Sequence, residues 1–267
     1  MNLKTYQPFN RYLVYQSTET IEKQILGIVT TYFLAVLNNY KFAIANLQEN
    51  KLAEIFTSSE KWWSKEWSDF AQYHGILNLN NFYEETVYKV KDVTLDEIYP
   101  KSTVIQVYCN QNFVPTILEN PNYSTKIEKL EMSPSTIFNE LFSHLFAEFE
   151  TKYSENYDFL MKKIIDYNDD FIAVRINKVD EQVVKKILET KKKNIFISTS
   201  DENNVVLLKN KLSDKNVFHI AKIVDVENQK ELDTVKIFYE LKIFQQFQNL
   251  LIDDTFSDVC RLFEVKE

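Results

Sequence analysis

FIAVRIN (Phe171–Asn177), VDEQVVKKILETKKK (Val179–Lys193) and NIFISTSD (Asn194–Asp201) follow one another with only Lys178 between the first two. The first and third are short, β-branched and aromatic runs of the kind that make strands. The middle one carries Val183, Val184, Ile187 and Leu188 at helical spacing. The rhythm continues: ENNVVLLKNKLSDK reads as a helix, NVFHIAKI as a strand, LDTVKIFYELKIFQQFQ as a long helix with Val235, Phe238, Leu241, Ile243 and Phe244 inward, and NLLIDD as a fourth strand before TFSDVCRLF. Strands alternating with helices over short connections specify a parallel sheet covered on both faces. The expected strands are Phe171–Asn177, Asn194–Thr199, Val217–Ala221 and Leu250–Asp253, all parallel.

Working outward, the first half opens on the same plan. RYLVYQ (Arg11–Gln16) is strand-like, Thr20–Asn39 is a long apolar helix, and KFAIAN returns as a strand. TVIQVYC (Thr103–Cys109) is another strand, followed by a short helix in NFVPTILENP. From Pro134 to Asp166 a single helical pattern carries Ile137, Leu141, Leu145, Phe146, Phe149, Tyr157, Leu160 and Ile164. The fold expected is α/β with two Rossmann-like domains facing a cleft, residues 1–167 and 168–267. The aromatic stretch around Trp62, Trp63 and Trp67 resists derivation; those rings suit either packing or stacking on a sugar.

Composition narrows function. The 267 residues are 45% hydrophobic and 26% charged, with a net charge of −8. That balance suits a folded globular chain and makes a poor general binder of duplex nucleic acid, which needs a basic face. Glycine occurs twice, at Gly27 and Gly75, so every phosphate-binding loop built on several glycines is excluded. Arginine occurs three times, at Arg11, Arg175 and Arg261; only these positions offer a planar guanidinium fork. Cys109 and Cys260 fit no zinc spacing and point to a reducing, cytoplasmic setting. His74, His144 and His219 stand in unlike contexts and form no metal or triad pattern. Ile25–Leu37, the most apolar run, is too short to span a bilayer, and the start of the chain has no signal-peptide core; no transmembrane segment is expected.

In open parallel sheets ligands collect at the carboxyl ends of the strands, where helix N-termini present donors. In the second half those ends carry Arg175, the Ser198-Thr199-Ser200-Asp201 turn, and Asp253-Asp254-Thr255-Phe256-Ser257. The set suits a nucleoside diphosphate: a fork for phosphate oxygens, hydroxyls for the pyrophosphate, a carboxylate for a guanine edge. Each has a plainer reading as well. Arg175 also suits a structural pairing with a neighbouring carboxylate, and Asp201, Thr255 and Ser257 are the residue types that cap helices.

These segments together resemble the GDP-fucose-dependent fucosyltransferases, the group holding xyloglucan fucosyltransferases, NodZ-type enzymes and α1,6-fucosyltransferases. RYLVYQ…QILGIVTTYFLAVLNNYKFAIAN is similar to their first strand, loop and helix, and NFVPTILENPNY…IFNELFSHLF to the middle of the xyloglucan type. FIAVRIN stands where the group has a strand ending in His-x-Arg or Gln-x-Arg, FISTSDE is similar to its TDD/TDS turn, and DDTFSDVCRLFE to its TFSS…VCR segment. The order is kept through most of the chain. The resemblance implies a GT-B-like fold and inverting, metal-independent transfer of fucose from GDP-fucose to a carbohydrate or glycoprotein acceptor. No cofactor beyond that donor is implied. It implies that Arg175 meets the donor β-phosphate as the catalytic charge-stabilising group, that Asp201, beside Ser200, faces guanine, and that Thr255, Phe256 and Ser257 lie by the pyrophosphate.

The chain departs from that pattern in three places. The glycine-rich loop before the first helix is Thr20-Ile21-Glu22-Lys23, Ala173 stands where the group has His or Gln, and Asp258 replaces the second Ser of TFSS. Lys23 is then the residue left to offer charge to a phosphate from that loop. Glu22 and Asp180 are carboxylates that nothing in the spacing selects as a base. The alternative reading is a non-catalytic relative that binds sugar nucleotides or serves as a scaffold.

Overall fold

The computed structural model describes residues 11–17, 19–45, 52–57, 75–80, 89–130, 132, 136–165, 171–199, 201–220, 228–246 and 250–252. The chain forms two compact units, Met1–Glu148 and Phe149–Glu267.

The first unit contains β1 (Tyr12–Gln16), α1 (Ile21–Asn38), β2 (Lys41–Ile44), α2 (Leu52–Ile55), β3 (Phe56–Thr57), β4 (Gly75–Asn78), α3 (Leu95–Ile98), β5 (Val104–Tyr108), α4 (Val114–Leu118), α5 (Ser124–Glu128) and α6 (Ile137–Leu145), and the short β6 (Glu148–Phe149) follows. Its sheet runs β2-β1-β5-β4, every described pair parallel. α1 is buried along nearly its whole length, which explains a sequence apolar on all sides rather than on one stripe. It ends at Asn39, whose φ of 55° is the left-handed turn that Asn tolerates, with the N–H of Tyr40 closing onto Ala35 O at 2.9 Å. At Gly27 the helix approaches the end of β5 so closely that a Cβ would lie 2.0 Å from Cys109 O.

The second unit contains α7 (Thr151–Ile165), β7 (Phe171–Arg175), α8 (Glu181–Glu189), β8 (Asn194–Ser198), α9 (Glu202–Lys211), β9 (Asn216–Phe218), α10 (Gln229–Gln246) and β10 (Leu250–Ile252). Its parallel sheet runs β10-β7-β8-β9. From β7 the chain steps to β8 and β9 on one side and later returns to lay β10 on the other, the topological reversal beside which ligands bind. α8 and α9 cover one face through Val183, Ile187, Leu208 and Leu212 against Ile172, Val174, Ile195 and Ile197. The other face carries Ala173, Arg175, Phe196 and Ser198, and Phe196 meets Phe244 of α10 edge-on, centroids 6.2 Å apart.

All four strands expected in this half are present and parallel, with ends within a few residues of those read from sequence. One expectation needs correction. The single helix expected over Pro134–Asp166 is two, because the α6 pattern closes when Phe146 N–H bonds Phe142 O at 3.0 Å and α7 starts afresh on Glu150 O. α7 belongs with the second of the two compact units. Tyr153 and Lys152 of α7 both donate to Glu231 of α10, and Tyr239 Oη donates to the Tyr153 carbonyl, tying α7 to the second unit. Among the described residues no helix is long and apolar enough to cross a membrane.

Candidate functional site

Arg175 is the last residue of β7, with register partners Ser198 on β8 and Ile252 on β10, so it stands at the topological reversal of the sheet. It is only 8% exposed. Its Nη1 donates to Glu240 Oε2 of α10 at 2.6 Å and also to Ser198 Oγ. Glu240 is 2% exposed, so this is a buried charge pair with a hydroxyl completing it. The structural partner that composition left open therefore exists, sixty-five residues on in sequence. Ala173, two residues earlier on the same face, is fully buried.

The neighbouring strand end is held by a buried asparagine. Asn204, in the first turn of α9, donates from Nδ2 to Asn177 O at 2.8 Å and to Thr199 Oγ1 at 3.0 Å. Its Oδ1 accepts from Val179 N–H at 3.3 Å. One side chain thus joins the loop after Arg175 to the turn after β8. Asp201 is exposed and caps α9, its Oδ1 accepting from Asn203 N–H at 2.9 Å, while its own N–H reaches Thr199 Oγ1 at 3.3 Å. The capping role is filled, and an exposed carboxylate at a strand end still accepts from a ligand on its outer side. Ser200, Thr255, Phe256 and Ser257 lie outside the described residues, as do Trp62, Trp63, Trp67, His74, Asp258, Cys260 and Arg261.

Lys23 occupies the first turn of α1 in the other unit. Its Nζ pairs with Glu19 at 3.1 Å, and the two side chains are 50% and 38% exposed. Glu22 shares that first turn, and Thr20 makes no side-chain cap. Asp180 caps α8 by accepting from Val183 N–H at 2.8 Å. Arg11 has a structural role at the amino end of β1, donating to Tyr40 Oη and Pro100 O, each at 2.8 Å, and pairing with Asp96. His144 stacks on Tyr32, centroids 5.8 Å apart, as a packing residue. His219 follows β9 half-buried, and burial first, then Lys209 and Lys236, hold its pKa below the ordinary histidine value. Among the described residues no group of three His, Cys, Asp or Glu gathers as metal ligands.

Sequence reasoning missed Glu240 and Asn204. Glu240 looks like a solvated helix charge, and its signal was the apolar surround: Phe238, Tyr239 and Leu241 are all buried, so the helix has little dry-to-wet contrast for a charge to mark. Asn204 sits in ENN, a run that reads as polar helix start.

No family model matches the chain, and no curated protein matches it in sequence. Solved structures do. A mutant of Arabidopsis thaliana FUT1 in complex with GDP superposes with a TM-score of 0.70 at 13% identity, covering 95% of this chain and 68% of that one. The α-1,6-fucosyltransferase NodZ co-crystallised with GDP gives 0.55 at 11% identity over 95% and 91% of the two chains. NodZ from Bradyrhizobium gives 0.55 at 10% over the same shares. The chain has the parallel α/β fold of the fucosyltransferases.

Proposed function

We propose that the protein is a fucosyltransferase-like glycosyltransferase that takes a GDP-sugar donor, with its two units arranged in the GT-B manner. The observation that carries this reading is Arg175, held at the sheet reversal in a fold shared with fucosyltransferases whose structures contain GDP. Arg175 meets the donor β-phosphate and offsets the charge that builds on departing GDP, without a metal; Glu240 and Ser198 fix its position. Asp201, with Ser200, accepts from the guanine edge. Thr255, Phe256 and Ser257, which begin three residues after Ile252, lie beside the pyrophosphate. Lys23 supplies a second cation. The acceptor hydroxyl displaces GDP with inversion at the sugar's anomeric carbon, and the acceptor is a glycan or a glycoprotein.

One observation favours a second reading, a non-catalytic relative. Arg175 is already neutralised by a buried carboxylate, and Lys23 by Glu19. Calorimetric titration with GDP, GDP-fucose and a UDP-sugar, followed by a turnover assay on a glycan panel, separates the two. GDP-selective binding with transfer supports the enzyme. Binding without transfer supports a sugar-nucleotide binder, and no binding at millimolar nucleotide removes both the donor site and its assignment to Arg175.

A further inference from the structure

α8 and α9 run from the carboxyl edge of the second unit's sheet back to its amino edge, because the strands they join are parallel. Their last turns therefore meet at the edge opposite Arg175. Hydrogen bonds fasten the connections that follow them: Asn216 N–H donates to Lys193 O at 2.9 Å, and Lys215 Nζ donates to Lys192 O. The two helices also share one core, with Ile187 of α8 and Leu208 of α9 in the same cluster.

Charge is segregated here. Residues 185–193 and 209–215 carry eight lysines against Glu189 and Asp214, in a chain whose net charge is −8. Lys185, Lys186, Lys191, Lys209 and Lys211 are exposed. Lys185 reaches Glu189 at 3.9 Å, an exposed contact that holds neither side chain firmly. Cations near helix C-termini have an ordinary reason, since they offset the negative end of the helix dipole. That reason does not cover what stands beside them. Five large apolar side chains are exposed among the described residues, and three of them, Leu188 (46%), Val206 (58%) and Leu207 (45%), lie on α8 and α9. The core side of α9 is already filled by Val205 and Leu208, so Val206 and Leu207 face outward. Helical spacing puts Lys185 one turn before Leu188, Lys209 one turn after Val206, and Lys211 one turn after Leu207.

We propose that the outer face of α8 and α9 docks on an anionic lipid bilayer. Leu188, Val206 and Leu207 enter the headgroup layer, and the flanking lysines meet the anionic headgroups. The composition of the face selects this occupant. Neither helix carries arginine or an aromatic residue, so the planar fork and the stacking rings that suit nucleic acid are missing. Protein interfaces shed lysine from their centres and gather aromatic residues, Met and Arg, the reverse of what α8 and α9 present. Long flexible lysine stems beside small aliphatic groups match a fluid, negatively charged surface, where no fixed partner geometry is needed. The lysine-rich helix ends lie away from Arg175, and the inference does not depend on the donor reading of that residue.

Cosedimentation of the full chain with vesicles tests this, using equal parts of phosphatidylcholine and phosphatidylserine beside phosphatidylcholine alone. Expected is binding to the mixed vesicles only, weakening as salt rises. Lys209→Gln with Lys211→Gln should weaken it about 25-fold, about fivefold for each lysine. Val206→Ser with Leu207→Ser should weaken it about tenfold at unchanged net charge. Both are surface changes that leave the core intact. Lys162→Gln with Lys163→Gln makes the same charge change on exposed positions of α7 and should leave binding within about twofold. Absence of binding to the mixed vesicles at millimolar lipid overturns the proposal. So does an equal loss in the α7 and α9 lysine variants, which would report net charge alone. Vesicle binding indifferent to the Val206 and Leu207 changes, or tighter binding to duplex DNA than to vesicles, overturns it as well.

Discussion

Arg175 Nη1 and Glu240 Oε2 stand 2.6 Å apart where β7 meets α10, with side chains 10% and 3% exposed. A guanidinium buried to that degree relies on the carboxylate beside it to offset its lost hydration. Glu240→Ala should therefore destabilise the fold by ~3–5 kcal/mol, because it strands a buried cation. Replacing both partners with apolar residues of similar volume, Arg175→Met with Glu240→Leu, should recover most of that loss. Urea denaturation of the two variants checks it; a single variant as stable as wild type would show that the pair holds nothing.

The same pair shapes what GDP titration should show. Arg175→Lys keeps a cation for Glu240 but loses the planar fork. GDP binding should weaken by ~1.5–3 kcal/mol, the range of charge-assisted hydrogen bonds, with a smaller change in stability. Equal GDP affinity in the folded Lys variant would remove Arg175 from the donor site.

Lys23 separates local structure from ligand binding. Its pairing with Glu19 is an exposed i,i+4 contact, so Lys23→Ala should change stability by less than ~0.5 kcal/mol. If the residue also meets a donor phosphate, GDP affinity in the variant falls at low salt, and the difference fades as salt rises. A GDP isotherm identical to wild type at low salt would leave Lys23 as a surface residue.

The sequence made the strands of both sheets legible wherever a β-branched run lay between helical patterns: Phe171–Arg175 and Asn194–Ser198 were read almost to the residue. β4 escaped because GILN is four residues long, begins with glycine and follows an aromatic stretch without period. The break between α6 and α7 escaped for a different reason. Leu141, Leu145, Phe149 and Tyr153 continue a four-residue spacing through the gap, so the pattern alone describes one helix. Arg175 was found from its place at a strand end and its rarity. Its partner was not, since pairing across sixty-five residues leaves no local signature.

Asn204 makes a prediction about local rather than global order. Its carboxamide ties Asn177, Val179 and Thr199 together from a position 4% exposed. Asn204→Ala should lose ~2–3 kcal/mol, about 1 kcal/mol for each buried hydrogen bond. Amide exchange should quicken around residues 177–179 and 199–203 and stay slow in β7 and β8. Uniform acceleration across the unit would mean that Asn204 supports the whole fold and not the strand-end loops.

Cys109 gives a pH signature. Burial pushes its thiol up to about 12 from an ordinary 9.0, against smaller opposing effects of hydrogen bonding with the Gln111 backbone and the Thr30 side chain. The folded state therefore holds this proton when the unfolded chain has released it. The stability the proton contributes is full below about pH 9, the unfolded value, and is lost as pH rises toward 12. Iodoacetamide at pH 8.5 should leave Cys109 unmodified in native protein and alkylate it in urea, with peptide mapping to distinguish it from Cys260. Rapid native labelling would contradict the burial.

Gly27 is where two helix rules oppose each other. Alanine is the better helix former by about 1 kcal/mol, so at an exposed position Gly27→Ala would stabilise α1. Here an added Cβ would lie 2.0 Å from Cys109 O, 2.5 Å from Tyr15 Cε2 and 2.8 Å from Cys109 C. Two of those contacts are backbone, which cannot swing aside, and the third is a tyrosine ring only 1% exposed. Relief requires α1 to move away from the end of β5 and from the buried Tyr15, loosening a close-packed contact. Overpacking of this kind costs ~1–3 kcal/mol or more and should exceed the propensity gain, leaving Gly27→Ala net destabilised. Urea denaturation of the variant reads the balance. An Ala variant as stable as wild type would show that the helix has room at Gly27, and the close approach of α1 to β5 would lose its explanation.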